Sequence, residues 1–252
     1  IEAIIDNREE IDSKLIKEIE KNNIKVYKGY TIVDTSGYKR INKISIMQLS
    51  KDGQKVTGSK TSIDCDCLGI SGGWTPAVHL FTQSGGKLKF RDEDQVFIPN
   101  IYPSDQISLG SCNGDFTLNE ILSNVPKTLK EFLSIKKTDY ENLEVESSFN
   151  KSKRNIWLLP SDKVIGKTKP FVDYQNDATA KDIKLALREG FRSIEHVKRY
   201  TTTGMGTDQG KLGNMHALGI ISETAGSKMG ELGTTTFRPP YTPLTLSLIH
   251  IS

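Results

Sequence analysis

The hydrophobic pattern sets the first elements. Ile1-Glu-Ala-Ile-Ile-Asp6 is a short apolar run closed by an acid and reads as a buried strand. Ile11, Leu15, Ile16 and Ile19 then recur at helical spacing in a charged segment, predicting a helix over 9–21. Ile24-Lys-Val-Tyr27 is a second strand. Strand, helix and strand in so short a stretch make a βαβ unit, whose strands run parallel. Residues 32–49 alternate weakly around Gly37 and Asn42 and predict an antiparallel meander. Ile63-Asp-Cys-Asp-Cys-Leu-Gly-Ile70 predicts a further strand that runs into Ser71-Gly-Gly-Trp-Thr-Pro76. A helix begins in Ala77-Val-His-Leu-Phe81, and Val96-Phe-Ile-Pro99 is a short strand. Residues 107–118 repeat a theme of strand, glycine turn and helix start. Ile156-Trp-Leu-Leu-Pro160 reads as a short apolar strand after a polar linker.

The last third changes character. Thr179 with Asp182 three residues on has the spacing of a capping box, and Gly190 suits the end of that helix. Ser193 is expected to cap a short helix reaching Lys198. The turn Tyr200-Thr-Thr-Thr-Gly-Met-Gly-Thr-Asp-Gln-Gly-Lys211 follows, and then a helix to about Thr224, ended near Gly226. This is a small helical subdomain.

Composition narrows the class. At 252 residues, 36% hydrophobic and 26% charged, the chain reads as globular, with one large or two medium domains. A net charge of +3 without a basic run speaks against nucleic acid. No apolar run has the length of a membrane span and no signal peptide opens the chain, so a cytoplasmic protein is expected. Three cysteines without a CxxC point to a reducing compartment. Cys65 and Cys67 would share one face of their strand and are read as core thiols, and Cys112 as structural. His79 is either a packing histidine or a proton carrier. The start at Ile1, inside a strand and without Met, reads as a piece of a longer protein.

Candidate binding residues lie at glycine turns. Open α/β sheets bind ligands beyond the carboxyl ends of strands. Ser71, Gly72, Gly73, Gly110, Ser111 and Asn113 are therefore expected to meet at one crevice and line a dinucleotide pocket. Asp6 is either a ribose-binding acid or a surface acid at a strand end. In the 200–211 turn, Gly204, Gly206 and Gly210 permit close approach, threonine hydroxyls donate, and the next helix presents its N-terminus. A tight interhelical turn explains the same residues.

The motifs in order are Ser-Gly-Gly-Trp-Thr-Pro-Ala-Val-His-Leu-Phe, Gly-Ser-Cys-Asn-Gly-Asp-Phe-Thr-Leu, Val-Lys-Arg-Tyr-Thr-Thr-Thr-Gly-Met-Gly-Thr-Asp-Gln-Gly-Lys and Gly-Thr-Thr-Thr-Phe-Arg-Pro-Pro-Tyr-Thr-Pro243. Together they resemble the alpha subunit of heterotetrameric sarcosine oxidase, from Ile1 to about Pro243. The resemblance implies an α/β fold of the two-dinucleotide-binding-domain type, Rossmann-like and of the FAD/NAD(P) class. Residues 1–63 would be part of the inserted nucleotide-binding domain, 64–133 the return to the first dinucleotide-binding domain, and 134–168 a linker or excursion. Residues 169–226 would be a small helical domain similar to the bacterioferritin-associated-ferredoxin-like [2Fe-2S] domain. Residues 227–245 would lead to a folate-binding domain beyond this sequence. Residues 246–252, with His250, read as an adapter-derived tail.

The resemblance also implies function. Such a complex oxidatively demethylates sarcosine to glycine and uses FAD, FMN, NAD and tetrahydrofolate. NAD would sit on this subunit, with Asp6, Ser71, Gly72, Gly73, Trp74, Thr75, Gly110, Ser111, Asn113 and Gly114 as contacts. Ser111 stands where flavin-binding relatives carry an acid. FMN would lie at the interface with the beta subunit, near Thr202, Thr203, Gly204, Gly206 and Lys211, and FAD would belong to a partner subunit. Gamma and delta subunits complete the assembly. No catalytic residue and no metal ligand is expected in this segment. The four cysteine positions of cluster-binding relatives fall on Asp173, Gln175, Asp208 and Gly213, so no iron–sulfur cluster is expected. The other readings are an NAD(P)H-dependent flavoprotein reductase and a non-catalytic scaffold subunit.

Overall fold

A computed structural model describes residues 1–103, 105–135, 145, 155–239, 242, 244–245 and 247. The linker expected over 134–153 lies largely outside the described residues, as do Pro243 and most of the 246–252 tail. The chain divides into two compact units, one of Ile1–Gly73 with Asn150–Pro170, the other of Trp74–Phe149 with Phe171–Ser252.

The first unit begins with the expected βαβ element. β1 (Ala3–Asp6) pairs in parallel with β2 (Lys25–Lys28) across α1 (Ser13–Lys21). Asp12 caps α1 through the Lys14 N–H at 2.8 Å, and Ile16 is its buried anchor. An antiparallel sheet follows, ordered β3 (Tyr30–Gly37), β4 (Ile41–Leu49) and β5 (Val56–Asp64). β4 is central: Ile44, Ser45, Ile46 and Met47 are all buried, because both of its faces are covered. β5 is an edge strand, mostly exposed. The returning segment is fastened to this sheet by Lys60–Asp162 at 2.9 Å and by Lys163 with Asp34.

Three sequence expectations are corrected. The strand predicted over 63–70 stops at Asp64, and residues 65–78 carry no helix or strand. Asp64 and Asp66 cannot line a buried strand, and Gly69, Gly72, Gly73 and Pro76 interrupt any extension. Cys67 is accordingly exposed and Cys65 only half-buried, so neither is a core thiol. No strand forms at 107–109 or at 156–160.

In the second unit, α2 (His79–Gln83) precedes the hairpin of β6 (Lys87–Arg91) and β7 (Val96–Ile101). A 3₁₀ turn (Gly110–Asn113) leads to α3 (Leu118–Phe132), capped by a Thr117/Glu120 box. β8 (Phe171–Asp173) and β9 (Ala178–Thr179) pair antiparallel and open the helical part. It comprises α4 (Ala180–Arg188), α5 (Ile194–Thr201), α6 (Asn214–Ala225) and α7 (Met229–Leu232). α6 is its axis: Ala217, Leu218, Gly219, Ile220 and Ile221 are consecutive buried residues, the pattern of a helix covered on several sides. α4 faces it with Ile183, Ala186 and Leu187. The Thr179/Asp182 box forms as expected, whereas Ser193 makes no side-chain capping bond.

Candidate cofactor-binding turns

Asp173 organises the glycine-rich turn of the helical part. The residue is buried, 6% exposed. It accepts from the Gln175 N–H (2.8 Å), the Asn176 N–H (3.0 Å), Asn176 Nδ2 (3.3 Å) and the Gly204 N–H (2.7 Å). Burial raises its pKa, but these donors win and hold the carboxyl below its ordinary value. Beside it, Gln175 exchanges hydrogen bonds with Thr207 and accepts from the Asp208 N–H. Asp208 in turn accepts from the Gly210 and Leu212 N–H groups. A Cβ on Gly206 would collide with Gln175, and one on Gly213 with the Val172 carbonyl oxygen. The segments 172–176 and 204–213 are thus stitched by the chain's own groups. Among the described residues no cluster of His, Cys, Asp or Glu could hold a metal ion.

This geometry revises what the glycines of the turn do. The Gly204 and Gly210 amides are committed to carboxylates of the chain, and Thr203 is buried with its hydroxyl 2.7 Å from that of Thr201. The amides of the turn therefore do not form a free phosphate cradle. Gly210 is glycine because its φ is +76° and Asn214 fills the space of a Cβ. Thr202 is exposed, and Lys211 lines a cavity of about 30 Å³ with His79, Asn214 and Phe237. That volume suits a water or two rather than a cofactor.

His79 is 7% exposed and its ring lies 3.9 Å, centroid to centroid, from that of Phe237. Burial, with a smaller contribution from the Lys211 charge, pushes its pKa down to about 4. A histidine depressed in this way is neutral when folded and takes up a proton on unfolding. Its stabilising contribution is therefore present above the unfolded pKa, near 6.5, and is lost as pH falls towards about 4. Equilibrium urea unfolding should show a loss of about 3 kcal/mol across that window, by linkage. His79→Phe should remove its share of that acid-side slope while preserving the ring contact, leaving the smaller part due to His216, whose pKa burial also lowers.

The other predicted residues are placed as follows. The Asp6 carboxylate is gripped by Arg8, whose Nη2 lies at 2.7 Å and Nε at 3.0 Å, with the Arg8 N–H at 2.9 Å. Burial raises the Asp6 pKa, and the Arg8 bonds lower it further than burial raises it. Ser71, Gly72, Gly73, Trp74 and Thr75 are all exposed, Trp74 by 75%. Gly73 has φ +110° with open space where a side chain would be. Gly110 (φ +67°) and Ser111 begin the 3₁₀ turn, which Asn113 closes. Gly114 is different: a Cβ would meet Arg91 Nη2 at 2.7 Å and Ile98 at 2.9 Å, so packing demands this glycine. Sequence reading missed Arg91. It bonds Asp94 and donates to the Gly114 carbonyl at 2.8 Å, which ties the 110–114 turn to the β6–β7 hairpin.

The α/β fold is shared with the solved L-proline dehydrogenase from P.horikoshii. A TM-score of 0.63 at 16% identity covers 98% of this chain and 49% of that one. Residues 167–251 match the family described as Sarcosine oxidase A3 domain. The chain is 30% identical over 259 aligned positions to the alpha subunit of sarcosine oxidase from Corynebacterium sp. (strain P-1), covering 98% of this chain. It is 34% identical over 229 positions, 86% of this chain, to the alpha subunit from Rhizobium meliloti (strain 1021). The chain resembles sarcosine oxidase alpha subunits along nearly its whole length, and its segment 167–251 belongs to the A3 domain family. It spans about a quarter of those relatives' length, 26% and 23% respectively. A 70-residue stretch is also 34% identical to one of the subunits of opine oxidase from Rhizobium meliloti (strain 1021). Among the described residues no helix is long and apolar enough to cross a membrane.

Proposed function

We propose that this chain is the cofactor-holding part of the alpha subunit of a flavin-dependent sarcosine oxidase complex. The observation that carries the reading is similarity to two sarcosine oxidase alpha subunits over most of the chain, with a family match to 167–251. The complex would convert sarcosine, oxygen and water to glycine, formaldehyde and hydrogen peroxide, or pass the one-carbon unit to tetrahydrofolate. The exposed turn 71–75, with Ser111 as the exposed residue of the 110–113 turn, is the part suited to contact NAD, through backbone and hydroxyl groups. Asp6 would reach a ribose only by sharing its carboxylate with Arg8. FMN would contact the 202–211 turn through the exposed Thr202 and through Lys211, since the Gly204 and Gly210 amides are engaged within the chain. FAD belongs on a partner subunit in this reading, and the beta, gamma and delta subunits are the partners. The helical part would be a cluster-free version of a [2Fe-2S] domain, its four ligand positions occupied by Asp173, Gln175, Asp208 and Gly213. The complex would work in the cytoplasm.

The full-length protein assembled with its partner subunits tests this. Sarcosine should drive peroxide formation, and flavin and NAD should co-purify. In that complex Lys211→Ala should weaken FMN binding by roughly tenfold, the loss of one charge-assisted bond. Preparations that assemble yet do not oxidise sarcosine would refute the activity. Unchanged FMN content in Lys211→Ala would remove Lys211 from the FMN site.

The match to an opine oxidase favours one second reading, a related amine other than sarcosine as substrate. Comparing sarcosine with bulkier secondary amines on the assembled complex separates the two.

A further inference from the structure

Two thiols lie one residue apart where the first unit's sheet ends. The Cys65 N–H donates to the Asn42 carbonyl at 3.2 Å, which fixes Cys65 beside the start of β4. The chain then bends at Asp66, and Cys67 is exposed. Residues two apart across a bend have Cα atoms about 5–7 Å apart, within the span of a disulfide. The short tether also places the thiols at high effective concentration. Residues 65–78 contain no helix or strand, so ring closure breaks no regular element.

We propose that Cys65 and Cys67 form a dithiol–disulfide exchange site for small disulfides. The exposed Cys67 thiolate attacks one sulfur of a low-molecular-weight disulfide; a mixed disulfide forms and one small thiolate leaves. The Cys65 thiolate then attacks the Cys67 sulfur; the mixed S–S bond breaks and the second small thiolate leaves. Two electrons pass from the cysteine pair to the small disulfide, and the two protons lost by the cysteines end on the two released thiols. The protein ring is short, and a strained or exposed disulfide is readily reduced, so excess small thiol reverses the reaction. Cys112 belongs to the second unit, its Sγ 2.9 Å from the Leu109 carbonyl oxygen, and serves as an internal reference.

The test uses the full reduced chain and oxidised glutathione, read by free-thiol titration, intact mass and peptide mapping. The wild-type chain should lose two thiols and the mass of two hydrogens, with the bridge mapped to Cys65 and Cys67. Reduced glutathione should restore both. Cys65→Ser should stall at the mixed disulfide and retain about tenfold more glutathione on Cys67 than wild type, because the resolving thiol is gone. Equal retention in wild type and Cys65→Ser would overturn the proposal, as would a bridge between two chains. So would native thiols that stay unreacted while the same cysteines react in urea.

Discussion

Asp173→Ala should lower the stability of the helical part by about 3 kcal/mol, the scale for stranding buried donors. The carboxylate accepts from four donors on two segments distant in sequence, and alanine leaves the buried Gly204 N–H with nothing to bond. Asp173→Asn keeps an acceptor oxygen and should cost about 1–2 kcal/mol. The pH dependence has a definite sign. A carboxyl whose folded pKa is depressed stabilises above its unfolded pKa and loses that contribution as pH falls through the folded value. Wild-type stability should therefore decline on acidification below about pH 4, with a component absent from Asp173→Asn. Urea midpoints of the variants across that range read the result. A wild-type curve parallel to that of Asp173→Asn would remove Asp173 from this role.

Gly213→Ala should be nearly as damaging, about 2–3 kcal/mol, the cost of overpacking. The added Cβ would run into the Val172 carbonyl oxygen, and backbone yields less easily than a side-chain tip. Gly226→Ala is the control. Gly226 ends α6 at φ +66° with open space around it, so only backbone strain of about 1 kcal/mol applies. Because Gly213 and Asp173 act on the same junction, the double variant should lose less than the sum of the two single losses. Full additivity in urea unfolding would show that they act separately.

Periodicity made the local elements legible. Leu15, Ile16 and Ile19 announced α1, although it starts at Ser13 behind the Asp12 cap rather than at residue 9, so Ile11 lies before it. The Thr179/Asp182 spacing announced the cap of α4, and Gly226 announced the end of α6. Pairing was less visible. Residues 63–70 alternate like a strand, yet β5 lies earlier, over Val56–Asp64, where polar residues on an edge strand carry little hydrophobic signal. The three glycines of the 200–211 turn read equally as a phosphate cradle or a tight junction. Only the placement of Asp173, some thirty residues earlier in the chain, shows where the Gly204 amide goes, while Asp208 within the turn takes that of Gly210. Arg91 gave no signal at all, because its partners include a backbone carbonyl twenty-three positions on.

The discontinuous first unit has a bearing on how the protein is made. Its sheet is written by residue 64, yet its fastening residues Asp162 and Lys163 come much later, and the Asp34–Lys163 clasp bridges 129 positions. Chains emerge from the ribosome at about 5–20 residues per second. The three-stranded sheet therefore waits several seconds, with its exposed edge strand β5 unclasped, while the first half of the second unit is still being synthesised. During that interval the edge is open to pairing with other nascent chains, and Lys55 and Lys60 along β5 and its approach are the charges that discourage it.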